Sequence, residues 1–399
     1  MSLHRLGYLA PVSVHEVAAG ETVAGLKEIQ FNSSVLEKLI QNRAYLDIAT
    51  FYIPFRLLWD EFPTWLIDGT GTLPSVATAN FEGVFLEKHA IGTSSTTLVP
   101  WIRMAYNKIW NTYFRPDDIT AVDESTNGSL QLVYQRTNDF FTSEPEGTDS
   151  SFSIGSTVDS MRAAVAKDNF NKVRKYYGER YVDYLNAMGI EVPWTITEEP
   201  ELIKKSSQVM FQNVTKSTDT GGASPVGTFG GSYAAKIAQR IPRKFFPEHG
   251  LILTVASWKM QKFFKDTMHP MVDHTNKEDF WSPEYDMDKE YDYPMRLWND
   301  GHTGTDSVTL PNFEHLRKGM NLTFTASGSG DDDGFFLADD HVSISDIDEY
   351  KEGNYPPAAF PSVGTIPDGG SLTADSSISC ITRMSKRSPV GTRAGSALR

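Results

Sequence analysis

The side chains able to do chemistry in this sequence are mostly charged oxygens and nitrogens, gathered in a few places. Ser329, Asp331, Asp333 and Asp340, with Gly334 among them, set oxygen ligands near the first, third, fifth and twelfth positions of a calcium loop, with glycine at the sixth. Serine replaces the opening aspartate, Asp340 replaces the closing bidentate glutamate, and the flanks read as strand and loop rather than as two helices. Asp331, Asp333 and Asp340 are therefore weak calcium candidates, and an exposed acidic turn accounts for them without a metal. His269 and His274 stand five apart with Asp273 beside the second, in a proline-containing loop, a pattern more usual for a surface than for a metal site. The sequence holds no Gly-x-Ser-x-Gly elbow, His-Glu-x-x-His helix, phosphate-binding Gly-x-x-x-x-Gly-Lys loop or dinucleotide fingerprint. Its many carboxylates permit a glycosidase pair but locate none. The expectation is a non-enzymatic protein without a cofactor.

Charge is more informative. The chain carries 37 Lys and Arg against 51 Asp and Glu, a net charge of -14, which argues against coating nucleic acid over the whole surface. Yet Arg383, Lys386, Arg387, Arg393 and Arg399 all follow Thr382, with no acidic residue among them. Residues 383–399 thus form a basic tail on an acidic body, which by itself reads as a solvated terminus. Arg240, Arg243 and Lys244, followed by Phe245, make a second cluster able either to pair with and stack on a nucleic-acid strand or to open a β-strand. Trp59, Trp65, Trp101 and Trp110 fall outside the expected strands, where an indole either buries a loop or anchors a subunit contact.

Elements must position these groups. With 40% hydrophobic and 22% charged residues, the composition is that of a folded globular chain, and 399 residues suit one large β-domain with long excursions or a few smaller domains. No window approaches the roughly 18 apolar residues of a membrane span, and no signal-peptide pattern opens the sequence, so a soluble chain made in a cytoplasm with no membrane partner is expected. The single Cys380 excludes an intrachain disulfide. Short strands separated by Gly, Asn, Asp and Pro are expected at 45–55, 130–135, 208–214, 249–258, 321–326, 342–347 and 377–384, a pattern typical of a β-sandwich or barrel. Within 45–55 the apolar positions shift parity at Ala49 and Thr50, as a bulge there would produce. The strand 249–258 is apolar at nearly every position, which suits cover on both faces. Helices are expected at about 33–42, 100–115 and 157–188, inserted between strands, with 217–231, 326–334 and 353–370 as surface loops.

Several segments in order resemble the major capsid protein of the Microviridae, the small icosahedral single-stranded DNA bacteriophages. Gly20, Glu21 and Thr22 are similar to the turn after that family's opening strand. Asp47, Thr50, Phe51, Tyr52, Pro54 and Arg56 match its Asp-x-x-Thr-Phe-Tyr-Val-Pro-x-Arg strand. Tyr106, Asn107, Ile109, Trp110, Asn111, Tyr113 and Phe114 match its Tyr-Asn-x-Ile-Tyr/Trp-Asn-x-Tyr-Phe helix. Segments 177–185, 227–231 and 241–250 complete the likeness, the last ending in Phe246-Pro-Glu-His-Gly250. The resemblance covers residues 6–258 and thins beyond.

The resemblance implies a mainly β fold, an eight-stranded antiparallel viral jelly roll with long loop and helical insertions, spanning 1–382 as one domain before the basic tail. It implies a virion protein assembled in the bacterial cytoplasm, and a T=1 shell of identical subunits around circular single-stranded DNA. A small basic DNA-binding protein and a spike or pilot protein would be further partners. In that setting Arg383, Lys386, Arg387, Arg393 and Arg399, with Arg240, Arg243 and Lys244, become DNA contacts, and the four tryptophans become subunit contacts. The residues alone also admit a β-sandwich carbohydrate-binding or virion attachment protein, whose loop aromatics stack on sugars, and a carbohydrate-active enzyme.

Overall fold

The computed structural model describes residues 2–4, 6–33, 43–74, 99–115, 119–133, 198–215, 229–260, 263–264, 267–283, 290–299, 302–320, 338–339 and 376–387. Strands β1 (Ser2–His4), β2 (Ala10–Val17), β3 (Glu21–Ser33), β4 (Ala44–Pro54), β5 (Glu201–Val209), β6 (Phe211–Thr215), β7 (Phe229–Phe246), β8 (Gly250–Met260), β9 (Phe263–Phe264), β10 (Glu290–Pro294), β11 (Ser307–Pro311), β12 (Ala338–Asp339) and β13 (Ser376–Arg387) follow in chain order. Helix α1 (Phe62–Asp68) and helix α2 (Trp101–Ile109) fall between β4 and β5.

Strands with side chains alternating between two environments bury one face, and β3 and β7 do so clearly. Val23, Lys27, Ile29 and Phe31 of β3 are buried, as are Tyr233, Ala235, Ile237, Gln239 and Ile241 of β7, while the residues between them are exposed or half-exposed. These strands lie at the centre of a five-stranded sheet ordered β1-β13-β3-β7-β6, which faces a four-stranded sheet ordered β2-β8-β4-β5. All pairings within both sheets are antiparallel. The chain changes sheet at most connections and its last strand lies beside its first, which is the path of a jelly roll. Among the described residues the two sheets hold nine strands, with β6 at the edge beyond β7.

Two apolar clusters fill the space between the sheets. One joins Ile29, Phe31, Leu46, Ile48, Tyr233, Ile237, Trp258 and Ile378, with the Trp258 ring 5.1 Å from Phe31 and 6.3 Å from Tyr233. The other, at the far end, joins Val17, Val23, Tyr52, Phe246 and Ile252. A third cluster lies on the opposite face of the four-stranded sheet. There Ala49, Phe51 and Ile53 of β4 and Leu251, Leu253 and Val255 of β8 pack under Met104, Ala105, Tyr106, Ile109 and Trp110. Burying side chains of this size stabilises by about 1.5–3 kcal/mol each.

This double cover corrects the expectation of a bulge at Ala49 and Thr50. Against β8, β4 pairs without interruption from Ala44 with Met260 to Pro54 with Gly250. Even-numbered residues face the opposing sheet and odd-numbered ones face α2, so parity never changes; the outer face becomes apolar where the helix covers it. The irregularity belongs to β5, where Thr50 pairs with Lys204 and Phe51 with Leu202, leaving Ile203 unpaired between them.

The helix expected at 100–115 is α2, extended by a wider turn through Trp110–Phe114. Those expected at 33–42 and 157–188 fall outside the described residues, apart from Ser33, which ends β3. The expected strands 321–326 and 342–347 also fall outside them. Of 130–135, an isolated bridge from Leu132 to Tyr8 is present. A smaller unit pairs β10 with β11 over Tyr293, Met295, Leu297, Trp298, Val308 and Leu310.

Gly250 opens β8 where backbone from β4 crosses closely. A Cβ there would collide with the Ile53 carbonyl and crowd the Tyr52 ring and Pro54. Gly250→Ala is expected to destabilise the chain by about 1–3 kcal/mol, the usual penalty of overpacking, measurable as a lowered denaturant midpoint.

Candidate nucleic-acid and subunit interfaces

The two cationic clusters of the sequence, some 140 residues apart, meet on the outer face of the five-stranded sheet. Register decides this: Arg383 of β13 pairs with Leu26 of β3, and Leu26 pairs with Arg240 of β7, so the two guanidinium groups flank Leu26 in one cross-strand row. In another row Arg387 pairs with Thr22 and Thr22 with Phe245. Adjacent strands lie about 4.8 Å apart and residues rise about 3.4 Å, so Arg383 stands about 10 Å from Arg240 and about 14 Å from Arg387, backbone to backbone. Arg240, Arg243, Arg383 and Arg387 are exposed, as are the Phe245 ring and the Ile381 side chain. Glu28, also on this face, approaches Arg383 at 3.9 Å. Lys236, which pairs with Gln30 and which sequence reasoning missed, adds another exposed cation on the Arg240 face of β7. Its signal was present: in a strand, positions 236 and 240 share a face.

Three expectations change. The strand β13 runs to Arg387, paired with β3 throughout, so Arg383, Lys386 and Arg387 belong to the sheet and not to a tail; Ile378, Cys380 and Met384 pack inward and hold it there. Lys386 falls on the opposite face of β13 from Arg383 and Arg387 and, though still solvent-accessible, donates to the Glu16 carbonyl at 2.7 Å and to Glu21 Oε2 at 3.1 Å, so its charge is met by its own chain. Lys244 likewise pairs with Glu201 of the opposing sheet. Arg393 and Arg399 lie outside the described residues, as do the calcium-loop candidates Asp331, Asp333 and Asp340. Among the described residues no cluster of three or more His, Cys, Asp or Glu is placed to hold a metal.

The tryptophans divide. Trp110 is 3% exposed and donates its indole N–H to the Leu132 carbonyl at 2.8 Å, so it is a core residue and has no ring to offer a neighbour. The other three are half-buried around Phe62. Trp59 lies 5.8 Å from Trp65, Phe62 lies 6.2 Å from both Trp65 and Trp101, and Phe55 lies 4.9 Å from Trp101. Beyond this cluster α1 presents Leu66 at 50% and Ile67 at 82% exposure. An apolar ridge of this kind on a polar surface is the composition of a contact surface.

The geometry also explains the family-like motifs. Arg56 donates to Glu248 Oε2 at 2.6 Å, Tyr52 donates to the Glu248 carbonyl at 2.8 Å, and the Phe55 N–H donates to the His249 carbonyl at 3.0 Å. In α2, Tyr106 donates to the Leu9 carbonyl and accepts from the Gln131 N–H, both at 2.8 Å, and burial raises its phenol well above the ordinary range. Asn107 is fully buried and donates to the Glu124 and Asn127 carbonyls at 3.1 and 2.9 Å, while Asn111 holds Val122 through both its N–H and its carbonyl.

Interleaved strand order and a two-sheet core place the molecule in the class of antiparallel jelly-roll proteins. A family model described as "Capsid protein (F protein)" matches residues 2–144 and 142–288, and the chain belongs to that Microviridae capsid family. Similar curated proteins are capsid protein F of Escherichia phage G4, 27% identical over 289 residues, 68% of this chain and 67% of the relative; capsid protein F of Escherichia phage alpha3, 25% identical over 63% of this chain and 61% of the relative; and capsid protein F of Enterobacteria phage phiK, 24% identical over the same shares. The chain thus spans 61 to 67% of the length of these relatives.

Core and ridge tryptophans should behave differently. Trp110→Ala is expected to cost about 3–5 kcal/mol of stability by thermal or denaturant unfolding. Trp65→Ala should leave the unfolding midpoint nearly unchanged and reduce self-association by light scattering.

Proposed function

We propose that the chain is the major subunit of a T=1 icosahedral shell enclosing circular single-stranded DNA, and that the outer face of its five-stranded sheet contacts the genome. Family membership supports the capsid role. The observation that carries the DNA contact is the row Arg383, Leu26, Arg240, with Arg387 and Phe245 nearby, on a chain whose net charge is -14. A cationic patch in an acidic protein must be held against the overall repulsion for phosphate, and its location gives the nucleic acid one place to bind. The exposed Phe245 ring offers a stacking surface, which suits unpaired bases and needs no particular sequence.

Contacts between identical copies, in this reading, are made by the aromatic ridge and projecting loops. In a T=1 lattice every copy occupies an equivalent place, so each ridge meets the same complementary surface and the rotations close. Such contacts bury about 1,200 Å² or more per pair in stable assemblies. The shell forms in the bacterial cytoplasm and becomes part of the virion, and a small basic protein and a spike or pilot protein are candidate partners.

Filter binding of the full chain to unstructured single-stranded DNA at several salt concentrations tests the genome contact. Wild type should bind without sequence preference and weaken steeply with salt; Arg240→Ala with Arg383→Ala should lower affinity and reduce the salt slope by about 1–2, near 0.7 for each phosphate no longer neutralised. An unchanged slope removes this face as the DNA contact and leaves the capsid role standing.

A further inference from the structure

Between the two apolar clusters of the sandwich lies a polar seam built around a lysine. Lys27 of β3 is 0% exposed, and among the described residues its ammonium meets hydroxyls: Ser13 Oγ of β2 at 3.0 Å and Thr254 Oγ1 of β8. The contacts continue from there. Thr254 Oγ1 lies 2.9 Å from Thr50 Oγ1 of β4, Thr50 donates to Gln239 Oε1 of β7 at 2.8 Å, and Gln239 Nε2 donates to Ser206 Oγ of β5 at 3.2 Å and the Lys204 carbonyl at 3.4 Å. Thr50 and Thr254 are 0% exposed and Gln239 is 1% exposed.

Donor and acceptor roles run one way along this chain. An ammonium only donates, so Thr254 and Ser13 accept from it; Thr254 then has its proton for Thr50, Thr50 has its own for the Gln239 carbonyl oxygen, and the Gln239 amide donates to β5. The hydrogen bonds pass from the five-stranded sheet to the four-stranded one, back, and across again. Each link polarises the next, in a medium that screens little.

We propose that Lys27 is a buried cation held by this directional hydrogen-bond chain, with no carboxylate partner among the described residues, and that its proton makes the stability of the subunit depend on pH. The groups around it bear this out. From β2 come Ser13 and His15, from β8 Thr254, from β4 Thr50 and from β7 Gln239. From β13 comes Cys380, and His15 in turn senses Lys386 and Glu21 at the start of β3, which are paired with each other at 3.1 Å. Two hydroxyls solvate the ammonium less well than water does, so burial favours the neutral amine and draws its pKa down from 10.5 to about 8. His15 is lowered too, by burial first and then by the Lys386 and Lys27 charges.

The direction of the pH effect follows. Between about pH 8 and pH 10.5 the unfolded chain holds the Lys27 proton more tightly than the folded one, so stability rises with pH across that window. The contribution is complete above pH 10.5 and is lost as pH falls through about 8.

The test compares full-length wild type with Lys27→Met by chemical unfolding at pH 7.5 and pH 10.5, because tyrosines and Cys380 also titrate and only the difference isolates Lys27. The folded-to-unfolded ratio of wild type, relative to Lys27→Met, should rise by about a hundredfold between the two pH values, and the variant should be the more stable at pH 7.5. Equal pH responses in the two proteins overturn the proposal. Should the variant fail to fold, wild type answers alone: the ε-carbon NMR signal of Lys27 is expected to titrate below pH 9, and titration near the ordinary lysine value overturns it as well.

Discussion

The arrangement of this molecule depends on the β4 and β8 pair being buried on both faces. Inward, their even-numbered residues meet the five-stranded sheet; outward, Phe51, Ile53, Leu251, Leu253 and Val255 meet α2. A strand pair covered twice cannot slide by one residue without exposing one apolar set and burying the wrong neighbours on the other side. The pair therefore fixes the register of its own sheet and gives the opposing sheet a rigid surface to pack on. With the outer side of β4 and β8 taken by the helix, the five-stranded sheet is the one whose outer face carries exposed Arg240, Arg383 and Arg387.

The same constraint accounts for the motifs that reveal the family. The segments 47–56 and 246–250 are distant in sequence but form one joint, in which Arg56 and Tyr52 bind Glu248 and the missing side chain of Gly250 lets β8 start against β4. The Tyr106 to Asn111 segment is a second joint, docking the 119–133 stretch and Leu9, just before β2, onto the helix that covers the pair. These side chains satisfy backbone carbonyls, which restricts what can replace them without leaving buried polar groups unpaired.

Strands with continuous or strongly alternating apolar residues, such as β4, β8 and the core of β13, were legible in the sequence. β7 was not, because its inward positions include Ala235 and Gln239, which weaken the alternation that Tyr233, Ile237 and Ile241 otherwise make. β5 hides for a similar reason: it is an edge strand with no buried residue, its positions exposed or half-exposed. Of the candidate site, the residue types were readable and their placement was not. Strand alternation puts Arg383 and Arg387 on one face and Lys386 on the other, but only pairing with β3 shows which of them meets Glu21. The burial of Trp110, and of Lys27 between two sheets, likewise comes from partners far along the chain.

A cryo-electron-microscopy reconstruction of purified particles tests the central claim most directly. Closed shells of equivalent copies of this chain are expected, with the Arg240 and Arg383 face turned toward the interior and nucleic-acid density against it. Shells in which that face points outward, or particles carrying the chain only as a minor component, would contradict it.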